Sequence, residues 1–288
     1  MEVEMKIRGL MMDPVPNMPI VLLKEQDFYD LTIGYLERAH AEQIRHAEIF
    51  FDPQGHTGRG VRFETVLCGI RQAQLDAQQH LGISTRLILC FLRHLSEEEA
   101  FAVLEDALPF RDKFIGVGLD SGERGNPPEK FARVFARCRE LGLRLVAHAG
   151  EEGSAEYISH ALDLLKAERI DHGVHCLDDP LLVGRLARER IPLTVCPLSN
   201  VKLCVFPSLS AHNIGRLLAA GIAATINSDD PAYFGGYLLD NYMAVAGAVG
   251  LDRAHLIQLA RNSFTGSFLD DDQIAARLGQ IDAYLADS

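Results

Sequence analysis

The amino-acid sequence predicts an α/β protein, a TIM-type (β/α)8 barrel that lacks its first strand. Two patterns carry this. Apolar runs of strand length alternate strictly with helix-length stretches, and the runs are nearly continuous in apolar residues, as in parallel sheet buried on both faces. Three runs also end in titratable residues: Arg144-Leu145-Val146-Ala147-His148-Ala149-Gly150-Glu151, Ile170-Asp171-His172-Gly173, and Ala224-Thr225-Ile226-Asn227-Ser228-Asp229-Asp230. Polar groups gathered at strand C-termini read as one active site at the mouth of such a barrel, a domain of roughly 250 residues. The chain has 288 residues.

The elements follow in order. Residues 1–22 form an atypical leader rich in Met and Pro, read as loosely structured, with 18–23 able to pair as a short edge strand. The barrel domain runs from 23 to 288. Phe28, Leu31, Tyr35 and Leu36 fall at helical spacing, so 27–43 is an amphipathic helix. Strands are predicted over 47–51, 86–92, 114–119, 143–148, 169–172, 192–196 and 222–227, seven where a closed barrel has eight. The helices between them cover 63–80, a stretch opened by a Ser96/Glu99 capping box, 127–141 behind Pro127-Pro128, 155–166, 180–190 and 210–220. Helical patterns over 238–249 and 253–263, and from Asp272 onward, close the chain.

Composition narrows the function. A net charge of -12 disfavours binding to nucleic-acid phosphates and favours a small-molecule substrate. The six cysteines are scattered with no CxxC pair, which reads as reduced, buried thiols in a cytoplasmic protein. No signal peptide is evident, and no apolar run reaches the ~18 residues that span a membrane.

The strand ends hold the chemistry. His148 at the end of a buried strand is well placed to hold a metal, Gly150 lets the chain turn, and Glu151 projects toward whatever His148 holds. The bland alternative is a satisfied histidine beside a solvated glutamate. Asp229 and Asp230 are adjacent carboxylates beyond a buried strand, so a metal on one and a donor on the other would relieve their repulsion. The alternative, an N-cap pair opening a helix, is weighed against Pro231, Gly235 and Gly236, which suggest an irregular loop. His172 as a neutral imidazole could orient or deprotonate a water, or could simply bond Asp171. The loop Pro197-Leu198-Ser199-Asn200 could line a pocket or be turn chemistry, and His56 could meet substrate or be exposed. His175 lies beyond the turn, and His40, His46, His80, His94, His160, His212 and His255 read as surface or packing residues. The chain has no GxxxxGK[ST], HExxH or GxSxG, and no HxE with PCxxC.

Taken together, His148-Ala149-Gly150-Glu151, Asp171-His172-Gly173, Pro197-Leu198-Ser199-Asn200 and Ser228-Asp229-Asp230-Pro231 resemble the adenosine/adenine deaminase family of metal-dependent amidohydrolase barrels. Phe50-Phe51-Asp52-Pro53-Gln54-Gly55-His56-Thr57 and Gly118-Leu119-Asp120-Ser121-Gly122-Glu123 resemble its adenine deaminase branch. The resemblance implies a zinc-dependent hydrolase of purine salvage that converts adenine to hypoxanthine and ammonia. It implies one Zn2+ with His148 and Asp229 as ligands, Glu151 as proton donor, His172 positioning the attacking water, and Asp230 on the purine edge at N7. It implies a small-molecule purine as partner, with no nucleic acid and no membrane. Alternatives within the resemblance are an adenosine or N6-substituted adenine deaminase, or a truncated, catalytically impaired purine-binding remnant. The family's first strand ends in an HxH pair that supplies two further zinc ligands. This sequence holds no HxH.

Overall fold

In the computed structural model, which describes residues 2–7 and 22–287, eight strands pair in sequence order and every pairing is parallel. They are β1 (Glu2–Ile7), β2 (His46–Phe51), β3 (Ser84–Leu92), β4 (Gly116–Asp120), β5 (Arg144–Ala149), β6 (Arg169–His172), β7 (Leu193–Val195) and β8 (Ala224–Ile226). The last seven lie where the apolar runs predict them. Every residue of β2, β4, β6, β7 and β8 is buried, which is why no alternation of polar and apolar residues marks them.

The eighth strand is a difference from the sequence reading. The place of the first strand, expected empty, is taken by β1, which pairs with β2 through Met5↔Ile49, Lys6↔Phe50 and Ile7↔Phe51. Its sequence Glu-Val-Glu-Met-Lys-Ile alternates strictly, the period-two signal of a strand, within a leader whose Met and Pro content masks it. The expected pairing over 18–23 falls mostly outside the described residues, and Leu22 and Leu23 are irregular.

The sheet is curled. Arg169 in β6 and Glu48 in β2 form an ion pair with both side chains fully buried. Four strand spacings of about 4.8 Å would hold them about 19 Å apart in a flat sheet. The Phe50 and His148 rings, on β2 and β5, likewise stand 5.9 Å apart across the interior. Among the described residues no pairing joins β8 to β1. The helix Arg253–Thr265 lies against both.

Helices α1 (Glu25–Ala41), α2 (Gln54–Thr57), α3 (Phe63–Leu81), α4 (Glu97–Ala107), α5 (Ala132–Glu140), α6 (Ala155–His160), α7 (Pro180–Glu189), α8 (Pro197–Lys202), α9 (Ile214–Ala219), α10 (Pro231–Phe234), α11 (Leu238–Val249), α12 (Arg253–Thr265) and α13 (Asp271–Ala286) cover the sheet. In α1 the buried Phe28, Thr32, Tyr35, Leu36 and Ala39 share one face at helical spacing. The Ser96/Glu99 capping box forms as expected, Ser96 Oγ accepting from Glu99 N at 3.2 Å and Glu99 Oε2 accepting from Ser96 N at 2.8 Å. The 127–141 helix is split into a 3-10 turn, Pro128–Phe131, and α5. Two stretches expected as loops are short helices. Pro197 opens α8 and Pro231 opens α10, each at the first helical position, where a missing N–H costs nothing. No described helix is long and apolar enough to cross a membrane.

Candidate active site

The C-terminal strand ends converge on one buried cluster. His148 comes from β5, His172 ends β6, and Asp229 follows β8 by three residues, with no more than 2 % of any of them exposed. The His148 and His172 rings meet edge to face at 4.8 Å between centroids. His172 Nε2 lies 3.9 Å from Asp229 Oδ2, and its Nδ1 lies 3.2 Å from Glu151 Oε1. Four of the five residues singled out from sequence therefore form one contact network. Asp230, also buried, is the N-cap position of α10. The expected loop is thus the N-terminus of a helix.

His172 and Asp229 both have positive φ, 65° and 56°. Non-glycine residues adopt this left-handed region at a cost of about 1–3 kcal/mol, and such outliers gather at functional sites. His172 is the last residue of its strand and Asp229 lies three residues past its own, both where the chain turns at the barrel mouth.

Several supporting residues were missed by sequence reasoning. Asp171 Oδ2 lies 3.5 Å from His148 Nδ1, while its Oδ1 accepts from Thr194 Oγ1 at 2.9 Å and lies 3.6 Å from Arg169 Nε. Burial alone would raise the Asp171 carboxyl, but the hydrogen bond and charge of His148, with Arg169 and Thr194, outweigh it and hold the group ionised. An Asp171–His172 bond was one alternative from sequence; the alternation of a strand puts neighbours on opposite faces, and the register sets Asp171 beside His148. Ser199 Oγ donates to Asp229 Oδ2 at 2.7 Å, and Asn200 Nδ2 donates to Glu151 Oε1 at 2.9 Å. The 197–200 stretch thus lines the site from α8, one of the two uses considered for it.

Glu123, from the stretch after β4, holds the 150–153 turn. Its carboxylate accepts from the backbone N–H of Gly150 at 3.0 Å, Glu151 at 2.9 Å and Gly153 at 3.0 Å. Gly150 has φ +70°, and a Cβ there would sit 2.4 Å from Ile158 Cδ1, so only glycine fits. The turn that presents Glu151 is fixed from both sides.

Two further histidines are buried. His56 is buried rather than exposed, its Nδ1 2.6 Å from Arg59 Nη2 and its ring edge to face with Phe28 at 4.9 Å. Burial, then the Arg59 charge, push its pKa down to about 4. It sits within α2. His212, taken as surface or packing, is buried and hydrogen-bonded to Asn200.

The donors suit a zinc ion. His148, His172 and Asp229 offer nitrogen and oxygen ligands, and Cys196 joins His172 and Asp229 in a buried group whose ligand atoms all lie within 4.8 Å of one another. A carboxylate at Nδ1 of a histidine, as Asp171 is to His148, fixes the tautomer that leaves Nε2 for a metal. Asp52, Cys90 and Asp120, at the ends of β2, β3 and β4, form a second buried group of the same kind.

Comparison with known proteins gives the family and the fold. The family model described as adenosine deaminase matches residues 11–284. A curated adenine deaminase of Geotalea uraniireducens is 72% identical over 265 residues, 92% of this chain and 75% of that protein. The crystal structure of an adenine deaminase from Arthrobacter aurescens superposes with a TM-score of 0.90 at 48% identity, covering 92% of this chain and 81% of that one. An amidohydrolase from Burkholderia ambifaria, solved with bound Zn, superposes with a TM-score of 0.86 at 29% identity, covering 93% and 78%.

Proposed function

The chain belongs to the adenosine deaminase family, and on that premise we propose that it deaminates adenine by hydrolysis. Water adds at C6 of the purine, the C6–N bond breaks, and hypoxanthine and ammonia leave. The observation that carries this reading is the contact network of His148, Glu151, His172 and Asp229 at the barrel mouth. The adenine deaminase names of the relatives favour the free base over a nucleoside.

Each residue has a task. His148 and Asp229 would hold a zinc ion like the one in the Burkholderia relative, and that ion supplies Lewis-acid acidification of water near neutral pH. Glu151, in its acid form, passes a proton to purine N1 as the oxygen adds to C6, so charge does not build on the ring. Oε1 of Glu151 is held by Asn200 and lies 3.2 Å from His172 Nδ1, which fixes the carboxyl group in the site. His172, whose Nδ1 lies 3.2 Å from Glu151 Oε1 and 3.4 Å from Asn200 Nδ2, turns Nε2 toward Asp229 and would orient the attacking water there. Asp230 meets the purine edge at N7, a hydrogen bond that needs either a protonated carboxyl or the N7–H tautomer of the base. The buried mouth keeps bulk water from competing for these protons.

A second reading is favoured by one observation, the absence of HxH from the sequence. Fewer ligands bind zinc less tightly, and a chain so limited would bind purine with little turnover. One experiment separates the two: metal content of the purified chain, then ammonia release from adenine and from adenosine in the same sample. Zinc near one per chain with adenine turnover supports deamination; adenine binding without ammonia supports the second reading, and adenosine turnover alone moves the substrate to the nucleoside.

A further inference from the structure

A hydrogen-bond chain reaches Glu151 from outside the site. The backbone N–H of Ile214 donates to His212 Nδ1 at 3.2 Å. A ring nitrogen that accepts carries no proton, so in the neutral imidazole the proton sits on Nε2. Nε2 lies 3.3 Å from Asn200 Oδ1, and the Asn200 amide then has only one orientation that satisfies both ends, with Nδ2 donating to Glu151 Oε1 at 2.9 Å. The amide orientation, which coordinates alone leave open, is fixed by the tautomer at the far end. The imidazole stays neutral across the working range, because burial pushes its pKa down to about 4. Phe206 packs on the ring at 4.5 Å and holds it in place.

We propose that His212 is a positioning residue for the reaction: through Asn200 it holds Oε1 of Glu151 and so sets the orientation of the proton-donating carboxyl group. Without the Nε2–H donor the amide can flip, present Oδ1 to the carboxylate, and repel it. This inference rests on the deaminase reading for its kinetic test but not for its structural one.

The test uses the full chain with its metal and four variants: His212→Phe, His212→Gln, Asn200→Ala and the His212→Phe/Asn200→Ala double. Phe keeps the ring volume against Phe206 and removes both polar functions, while Gln places an amide N–H near the Nε2 position. The expected result is a fall in kcat on adenine of about 10- to 100-fold for His212→Phe, with KM within about twofold and zinc content unchanged. Gln should restore most of the loss, and the double variant should be no slower than Asn200→Ala alone. A wild-type kcat for His212→Phe, or losses that multiply in the double variant, would overturn the proposal. Independently of turnover, nitrogen NMR of histidine-labelled wild-type protein should show the Nε2–H tautomer at His212, and an Nδ1–H tautomer would also overturn it. If the wild-type chain releases no ammonia, the functional reading fails by itself and the tautomer still decides the relay.

Discussion

Replacing Glu123 by Gln tests whether the carboxylate that holds the 150–153 turn sets the activity of Glu151. The side chain is 1 % exposed and accepts three backbone N–H groups, two on Oε2 and one on Oε1. An amide has one accepting oxygen. In its better orientation Gln keeps the Gly150 and Gly153 bonds and turns its NH2 against the Glu151 N–H. That leaves one buried donor unsatisfied, at about 1–3 kcal/mol, and removes the charge from two bonds, at roughly 1 kcal/mol each. The sum is about 3–5 kcal/mol. Because the three donors belong to one turn, most of the penalty is relieved by that turn shifting, and Glu151 shifts with it. A displacement of an ångström costs about 100-fold in rate. The assay is steady-state ammonia release from adenine, paired with urea unfolding of wild type and E123Q. A kcat within twofold of wild type together with an unchanged urea midpoint would refute the reasoning. A large stability loss with full kcat would show that the turn is held by something else.

Other predictions follow from the same structure. Glu48→Gln should destabilise the fold by about 3–5 kcal/mol, since it leaves the buried Arg169 with Asp171 as its nearest remaining anion; urea midpoints measure it, and a Glu48→Met/Arg169→Met pair should recover part of the loss. His56 and His212 have folded pKa values near 4, well under the unfolded value near 6.5. Stability is therefore full above about pH 6.5, falls as the pH drops and the unfolded chain takes up protons, and levels off near 4. Each site contributes about 3 kcal/mol to the whole fall and about 2 kcal/mol of it between pH 7.5 and 5, which His56→Gln should remove in urea titrations at those two pH values. Gly153→Ala places a Cβ 2.3 Å from Glu123 Oε2 and should lower kcat more than it lowers the melting temperature, as read by turnover and calorimetry. His148→Ala and Asp229→Ala should each cut zinc per chain by more than tenfold in metal analysis of dialysed protein, whereas Asp230→Ala should leave metal in place and raise KM.

The sequence showed the parts of the site that sit at strand ends, because a polar residue closing an apolar run is a local signal. His148, Glu151, His172 and Asp229 were legible for that reason. Glu48 and Arg169 were not: each is a charge inside a buried strand, and its partner lies 121 residues away. His212 sits in a polar stretch with no period, and only the fold brings its Nε2 to Asn200. Glu123 was inside a motif noted for resemblance, but nothing in its neighbours says that it accepts from a turn 27 residues on. α8 and α10 had a readable signal, a proline just after a strand end, which fits a helix start as well as a loop. The β1 alternation was readable too, but short.

The Glu48 carboxylate has a consequence in time. It also accepts from the Phe268 N–H, 220 residues further along the chain. At a synthesis rate of about 5–20 residues per second, β2 leaves the ribosome about 10–45 s before that partner exists. Through that interval a strand that is otherwise apolar past His46 carries a charge that keeps it wetted. The same carboxylate that later locks β2 to β6 deep in the barrel delays burial of the nascent strand until the chain that completes the barrel has been made.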